Sequence, residues 1–370
     1  MRRVWCLSDS IYSPLARGSE ANLSALLEGR SGIRRYEAGS FGAGEPFCAS
    51  LFDRSRFDTS ARPLFEQVLE ACTRDAVGAA GIDASSPRVL FVLSTTKGDI
   101  ERIGTEPADL PLCVPAMRLA AAFGNPNLPL VVSNACISGL AALLQAQRLL
   151  RSGRYDYAVV FGADVHSLFT ISGFQSLKAL SASPCRPFDA SRDGMNLGDG
   201  AACIVLAASD SVPAGAWELV CGAVRNDANH ISGPSRTGEG SFNCLRSVLP
   251  ACSKEELAMV SVHGTATRYN DEMESVALSR AGLSDLPVAA FKACFGHTMG
   301  AAGILESILC MHSLDAAVVP PTPGFSDLGV SFPVNVCPEP RAASGRAFVK
   351  MLSGFGGCNA AMLFRKGGEC

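Results

Sequence analysis

The segment that most constrains the fold runs from Leu130 to Ala142 and reads LVVSNACISGLAA. It opens with a short apolar run, typical of a buried strand, that stops at Ser133 and Asn134. After Cys136, small and apolar residues recur at helical spacing, so we predict a strand, a sharp turn and a helix starting at or beside the thiol. The unpaired N–H groups at such a helix start favour the thiolate form. The alternative is an inert buried cysteine, since the chain has 15 cysteines.

The composition indicates that much of the surface is covered. Hydrophobic residues make up 48% and charged residues 18% of the 370 residues, whereas roughly 25% charged residues is ordinary. This favours a multilayer fold or a large subunit interface. The net charge of −3 and the lack of a basic tract argue against a nucleic-acid partner. No apolar run has the length of a membrane span.

The cysteine pattern indicates a reducing compartment. The cysteines are scattered and include no C-x-x-C pair, and the first residues lack the apolar core of a signal peptide. We therefore expect reduced thiols and a cytoplasmic location.

Apolar strands alternate with helices, which predicts an α/β fold. Continuous apolar runs, expected to be buried on both sheet faces, lie at residues 88–94, 155–163 and 201–207. A polar stretch at 209–215 marks the predicted midpoint. It divides the chain into two predicted halves. The N-terminal half, residues 1–210, carries the candidate nucleophile Cys136, and the C-terminal half, residues 211–370, carries His263 and His297. Small-residue helices after Cys136 and after His297 predict a close central pair of helices between sheets.

Four further segments interrupt apolar runs with reactive or conformationally special residues. His263 in VHGTATRYND and His297 in KACFGHTMGAAG each follow a predicted strand, and glycine-rich loops occupy residues 186–200 and 353–359. Each has a structural alternative: a hydrogen-bonded histidine, a surface lysine at Lys292, or a tight turn. Together with the thiol, however, two histidines and a loop of backbone N–H groups provide what acyl transfer through a thioester needs.

Metal and nucleotide chemistry find little support in the spacing. Cys294 and His297 form one candidate ligand pair, and no second pair occurs at zinc spacing. Residues 198–203 lack the third glycine of a dinucleotide fingerprint, and there is no P-loop. We therefore expect no metal and no bound cofactor.

These motifs resemble those of the β-ketoacyl-acyl-carrier-protein synthases, the condensing enzymes of the thiolase-like fold. The resemblance runs in chain order over nearly the whole length. Its motifs lie at residues 13–15, 27–33, 134–139, 173–181, 186–194, 198–201, 263–267, 292–303 and 354–359. The resemblance implies a duplicated α-β-α-β-α layered fold, with Cys136 and both histidines converging between the halves.

The resemblance also implies a reaction. Cys136 would take an acyl chain from an acyl carrier protein as a thioester, and the backbone N–H groups of Cys136 and Phe355 would hold the oxyanion. His263 and His297 would promote decarboxylation of malonyl-carrier protein, whose carbanion extends the chain by two carbons. Two histidines, rather than a histidine and an asparagine, favour the elongating class.

Supporting roles are implied for several other residues. Lys292 and Glu306 would organise the histidines, and Thr265 and Thr267 would hold the phosphopantetheine arm. Phe355, between glycines, would also gate the acyl pocket. The partners implied are the acyl carrier protein and a second subunit, in a homodimer or in a heterodimer with another ketosynthase-like chain.

The sequence departs from the family pattern at several positions. Ile137 replaces a small hydroxylated residue after the nucleophile, Arg268 stands where proline is common, and Ser353 where phenylalanine is usual. The LSTTKG stretch at 93–98 is similar to ketosynthases of aryl-polyene and flexirubin pigment clusters. Two alternatives stay open: a non-catalytic chain-length factor, and a thiolase acting on coenzyme A thioesters, which would use a second cysteine such as Cys358.

Overall fold

The computed structural model describes residues 2–104, 108, 110–211 and 215–368. The helices are α1 Ser19–Leu27, α2 Leu64–Ala80, α3 Cys113–Ala122, α4 Ser138–Arg151, α5 Leu168–Ser176, α6 Glu239–Val248, α7 Arg268–Arg280, α8 Lys292–Phe295 and α9 Ala302–Asp315. The strands are β1 Arg3–Tyr12, β2 Arg34–Tyr36, β3 Phe47–Ser50, β4 Val89–Ser94, β5 Leu130–Val132, β6 Tyr157–Asp164, β7 Leu197–Gly198, β8 Gly200–Ser209, β9 Trp217–Asn226, β10 Leu257–Ser261, β11 Pro287–Ala289, β12 Val318–Val319, β13 Asn335–Val336, β14 Arg341–Ala342, β15 Ala347–Gly354 and β16 Cys358–Lys366.

The main sheet is built twice from the same pattern. In the first half the order is β5-β4-β6-β8-β1, where β4 is parallel to β5 and β6, and β8 is antiparallel to β6 and β1. In the second half β11-β10-β15-β16-β9 repeats those directions, with β13 added beside β11. The halves join where β1 meets β9 at two residue pairs. The structure thus has the duplicated α/β architecture of the thiolase-like fold.

The two small-residue helices lie together in the centre. Helix α4 packs on β4 and β6, helix α9 packs on β8 and β15, and the two helices contact each other. A Cβ atom added at Gly139 would lie 2.9 Å from the backbone of Gly303, so only glycine permits this approach. Helices α2 and α6 cover the outer faces. The predicted central pair is confirmed.

Burial on both faces explains the continuous apolar strands. All six residues of β4 are buried, and in β6 and β8 only the terminal residues Tyr157 and Ser209 are partly exposed. Because helices cover both faces of the sheet at these strands, no polar alternation is needed. The division of the chain at residues 210 and 211 stays a prediction, and residues 212–214 of the proposed boundary lie outside the described residues. Among the described residues, no helix is long and apolar enough to cross a membrane.

Candidate active site

Cys136 lies in a strained turn between β5 and α4. Ala135 has a φ of 46°, a left-handed conformation that costs energy for any residue with a Cβ atom. Ser138 fixes the turn, because its hydroxyl accepts the Asn134 N–H at 2.7 Å and donates to the Ala135 carbonyl at 2.6 Å. Helix α4 begins at Ser138, two residues after the thiol. The strand, turn and helix follow the prediction, and the thiol precedes the first helical residue.

The electrostatic expectation for Cys136 was wrong. Burial raises the pKa of its thiol to about 11, although the ammonium groups of Lys292 and Lys97 and a backbone hydrogen bond from Phe355 act to lower it. Cys136 is 6% exposed, so desolvation of the thiolate outweighs these effects. The resting residue is therefore a thiol, and a base would have to remove its proton before the sulfur could act as a nucleophile.

Two histidines supply groups within reach of the thiol. His263 follows β10 and His297 follows α8. The Sγ of Cys136 and ring nitrogens of both histidines lie within 4.8 Å of one another, and the two rings meet edge to face with centroids 5.0 Å apart. Burial, with the nearby charge of Lys292, lowers the pKa of both imidazoles well below the ordinary value. Both rings are therefore neutral at physiological pH.

Hydrogen bonds distinguish the two imidazoles. The backbone N–H of Met299 donates to Nδ1 of His297 at 3.3 Å, which assigns the ring proton to Nε2. That Nε2 is buried and has no partner among the described residues. Nδ1 of His263 is likewise buried without a partner in the described part of the chain. Nε2 of His297 is thus a hydrogen-bond donor with no partner in the described structure. The same residues give no contact that fixes the tautomer of His263.

A buried cluster of three charges lies behind the histidines. Nζ of Lys292 lies 2.7 Å from Oε1 of Glu306, and Nζ of Lys350 lies 2.5 Å from Oε2. The ammonium groups also donate to the carbonyls of His263 at 2.6 Å and Val262 at 2.8 Å. Burial would raise the pKa of Glu306, but the two lysines lower it. The cluster fixes the end of β10, and Lys350 was missed by the sequence analysis.

Carboxylates of helix α7 hold the turn that carries His263. Glu274 accepts the backbone N–H groups of His263 at 2.6 Å and Gly264 at 2.7 Å, and Asp271 accepts that of Thr265 at 3.1 Å. Burial raises the pKa of Glu274 to about 7 despite these bonds. These carboxylates were also missed, although they recur on one helix face three residues apart.

The two threonines assigned to pantetheine lie in the same turn. Their hydroxyls are 2.9 Å apart, Thr265 is buried and Thr267 is partly exposed. Neither residue lines the large cavity beside Cys136. Their role in binding the arm stays a prediction.

The closing loop between β15 and β16 packs directly on Cys136. A Cβ atom added at Gly354 would lie 3.0 Å from the Cys136 nitrogen. The backbone of the next residue, Phe355, acts to lower the pKa of the Cys136 thiol, and its ring stacks on Phe174 with centroids 5.6 Å apart. Gly356 and Gly357 have φ values of 82° and 75°, which glycine tolerates. The loop thus places the backbone of Phe355 beside the sulfur of Cys136.

A cavity of about 950 Å³ opens beside Cys136 and Phe355. Most of its lining is apolar, and Leu168, Phe169 and Leu177 remain exposed. This size suits an acyl chain or a comparable small molecule.

The thiol and two imidazoles could also be considered as ligands of a soft metal ion. Their surroundings oppose this, because Lys292 and Lys350 add two positive charges against the single carboxylate of Glu306. Nδ1 of His297 already accepts a backbone N–H. The geometry therefore favours nucleophilic catalysis.

Comparison with known proteins places this site in a family. The Beta-ketoacyl synthase N-terminal domain matches residues 1–211, and its C-terminal domain matches residues 218–326. 3-oxoacyl-[acyl-carrier-protein] synthase 2 of Vibrio cholerae is 29% identical, over 99% of both chains. Actinorhodin polyketide putative beta-ketoacyl synthase 1 of Streptomyces coelicolor is 28% identical, over 98% of this chain and 88% of the relative.

A solved structure gives the same result. The ishigamide ketosynthase/chain length factor superimposes with a TM-score of 0.88 at 27% identity, over 99% of this chain and 100% of that chain. The chain belongs to the β-ketoacyl synthase family.

Proposed function

We propose that this chain is a β-ketoacyl-acyl-carrier-protein synthase that elongates an acyl group held on Cys136. The observation that carries the proposal is the convergence of the Cys136 thiol with His263 and His297 within 4.8 Å. The relative from Vibrio cholerae is named as an enzyme of this activity. Acyl carrier protein is then the partner that delivers both substrates. The free thiols of the described cysteines suit a cytoplasmic enzyme.

Acylation comes first. His263, whose tautomer is not fixed by any contact among the described residues, accepts the Cys136 proton while the sulfur attacks the thioester carbonyl of the acyl-carrier protein. The N–H groups of Phe355 and Cys136 hold the resulting oxyanion. The carrier's pantetheine thiolate leaves and takes the proton from His263. Cys136 then bears the acyl group, and Phe355 gates the chain as it enters the cavity.

Condensation follows with malonyl-carrier protein, whose arm we assign to Thr265 and Thr267. The bond between the malonyl α-carbon and its carboxylate breaks, and its electron pair forms an enolate whose oxygen accepts the Nε2–H of His297. Carbon dioxide leaves. The enolate carbon attacks the Cys136 thioester, and the freed Cys136 thiolate takes a proton from solvent. Lys292 and Glu306 position the turn of His263 throughout.

A second ketosynthase-fold subunit is proposed to cover the open side of the cavity. Strand β5 is an edge of the sheet, so its backbone offers unpaired groups. Met117, on the helix α3 that contacts β5, is exposed, as is Phe169 in the cavity lining. The similar ishigamide protein is described as a ketosynthase with a chain length factor. Sedimentation as a monomer, both alone and with a co-expressed ketosynthase-like chain, would contradict this. The aryl-polyene and flexirubin assignment stays a prediction.

The alternatives are less well supported. A chain-length factor needs no nucleophile, whereas here the thiol, both histidines and the Phe355 N–H converge. For a thiolase, Cys358 would act as a base, but its Sγ lies 2.9 Å from Oδ1 of Asn134 and its pKa is raised by burial.

Acylation can be tested by intact mass. We expect the purified chain to gain the mass of one acyl group when incubated with an acyl-carrier protein, and Cys136→Ala to gain none. Cys185→Ala, which changes another buried thiol, is the matched control and should load normally. Loading of Cys136→Ala to the wild-type extent would refute the assigned nucleophile.

The pH dependence of decarboxylation tests the state of the histidines. Because the pKa values of His263 and His297 are lowered well below 6.5, their neutral forms persist as pH falls through 6.5. We expect Cys136→Ala, which cannot condense, to release carbon dioxide from malonyl-carrier protein at a rate that is flat between pH 8 and 6. A fall with a midpoint near the ordinary pKa of imidazole would show that the rings are solvated.

A further inference from the structure

The cavity beside Cys136 contains an ammonium group that the proposed reaction does not use. Its lining is mostly apolar but includes two charged residues, Lys97 and Glu101. Glu101 is neutralised by an ion pair with Arg54. Lys97 has no carboxylate within ion-pair distance among the described residues, which leaves its charge uncompensated by direct contact.

The hydrogen bonds of Lys97 leave room for a ligand. Its Nζ donates to Oγ1 of Thr96 at 3.1 Å, and an ammonium has three N–H groups. Thr96 in turn donates to Asp164, whose carboxylate also accepts N–H groups from Thr96 at 3.1 Å and Gly300 at 2.6 Å. The carboxylate thus holds the turn at Thr96, and the described residues give no acceptor for the other two N–H groups of Lys97.

Lys97 also lies near the reacting sulfur. Its charge acts on the thiol of Cys136, and both residues line the cavity together with Phe355. An acyl chain that fills this space therefore passes the ammonium group. A saturated hydrocarbon would displace water from Lys97 and return no hydrogen bond, which is costly for a charged group. An oxygen atom on the chain would replace the lost water.

We propose that Lys97 selects acyl chains that carry an oxygen acceptor, such as a keto, hydroxyl or carboxylate group, over saturated chains of the same length. This inference rests on the proposed function, since it concerns the acyl group bound to Cys136. The amine donates to the chain oxygen without any covalent step. The apolar remainder of the cavity, including Phe169 and Phe174, holds the hydrocarbon part of the chain.

The test measures the rate of acyl transfer to Cys136 from four carrier-bound chains by intact mass. The chains are octanoyl, 5-oxo-octanoyl, 7-oxo-octanoyl and 7-carboxyheptanoyl, so that a near keto group, a far keto group and a terminal carboxylate are distinguished. We expect the wild-type protein to load at least one oxygenated chain about tenfold faster than octanoyl, the gain of a charge-assisted hydrogen bond. Lys97→Met should lose this preference, because it should transfer the oxygenated chains more slowly and octanoyl faster than the wild-type protein does.

Three variants make the outcome decisive. Lys97→Arg keeps a cationic donor and should retain the preference. Lys97→Leu, which also lacks a donor, should lose it and guards against misfolding of the methionine variant. Lys254→Met removes an exposed lysine paired with Asp285 and should behave as wild type. An unchanged preference in Lys97→Met and Lys97→Leu, or octanoyl transfer by the wild type as fast as that of every oxygenated chain, would overturn the inference alone. Absence of loading from every carrier would overturn the proposed function and the inference with it.

Discussion

Replacing His297 by alanine is expected to lower the rate of chain elongation by about 10²–10³-fold, the usual cost of removing one donor to a developing oxyanion. The reason is the tautomer of the His297 ring. Met299 occupies Nδ1, so the proton on the buried, unpartnered Nε2 is available to the enolate oxygen. Alanine offers no donor, and the negative charge that forms on decarboxylation would lie in a buried site unpaired. Steady-state condensation and carbon dioxide release should fall together.

The rate of acylation of Cys136 should distinguish the roles of the two histidines. His297→Ala should still load an acyl group on Cys136, because His263 takes the thiol proton in the proposed mechanism. His263→Ala should slow both loading and condensation. His312→Gln is the matched control, since His312 lies on α9 and bonds Asp9 at 2.8 Å, and it should stay near wild-type activity. If His297→Ala elongated at the wild-type rate, or lost loading as severely as His263→Ala, the assigned roles would be wrong.

Replacing Glu306 by glutamine is expected to cost about 3–5 kcal/mol in folding free energy, the usual penalty for breaking a buried ion pair on one side. Glu306 is the only carboxylate paired with the ammonium groups of Lys292 and Lys350 in the described structure. All three side chains are at most 2% exposed, so water cannot replace it. The variant leaves two buried positive charges facing each other. Differential scanning fluorimetry should record a fall in the unfolding midpoint of ~4–6 °C.

A double-mutant cycle separates charge from packing. Lys350→Met leaves the ion pair of Lys292 and Glu306, whose charges cancel. Its loss of folding free energy should therefore be well under half that of Glu306→Gln. Adding Lys350→Met to Glu306→Gln should recover part of the stability, because one unpaired charge is removed. Lys366→Met, which breaks the solvent-exposed pair with Asp315, should cost less than about 1 kcal/mol. Additive losses in the double variant would show that the cluster is not electrostatically coupled.

The sequence predicted the parts of the site that depend on local pattern and on chain order. The apolar run, the turn and the small residues around Cys136 predicted the strand and helix that the structure contains. His263 and His297 were predicted at strand ends; His263 follows β10, whereas the short helix α8 separates His297 from β11. The small-residue helices after Cys136 and after His297 predicted the close central pair, and the structure shows that Gly139 and Gly303 allow their close approach.

The features that the sequence did not predict depend on how deeply a side chain is buried. Burial is set by the elements packed around a strand and cannot be read from the sequence of that strand alone. Lys350 lies in AFVKMLSG, where an isolated lysine reads as a solvent-facing position, yet both faces of β15 are covered and its side chain is fully buried. The pKa of Cys136 was misjudged for the same reason, since the helix start was considered without the desolvation that raises it to about 11. Lys97 follows β4 in sequence, but only the folded chain places it in the cavity with Cys136.

A single-turnover experiment tests the central claim most directly. The chain is first loaded with an acyl group on Cys136, freed of excess donor, and mixed with malonyl-carrier protein, after which the protein and carrier masses are followed together. We expect the acyl adduct to disappear from Cys136 as an equal amount of 3-oxoacyl-carrier protein, two carbons longer, appears with carbon dioxide. Loss of the adduct as free acid, or an adduct that persists while the carrier stays unextended, would contradict the proposed condensation.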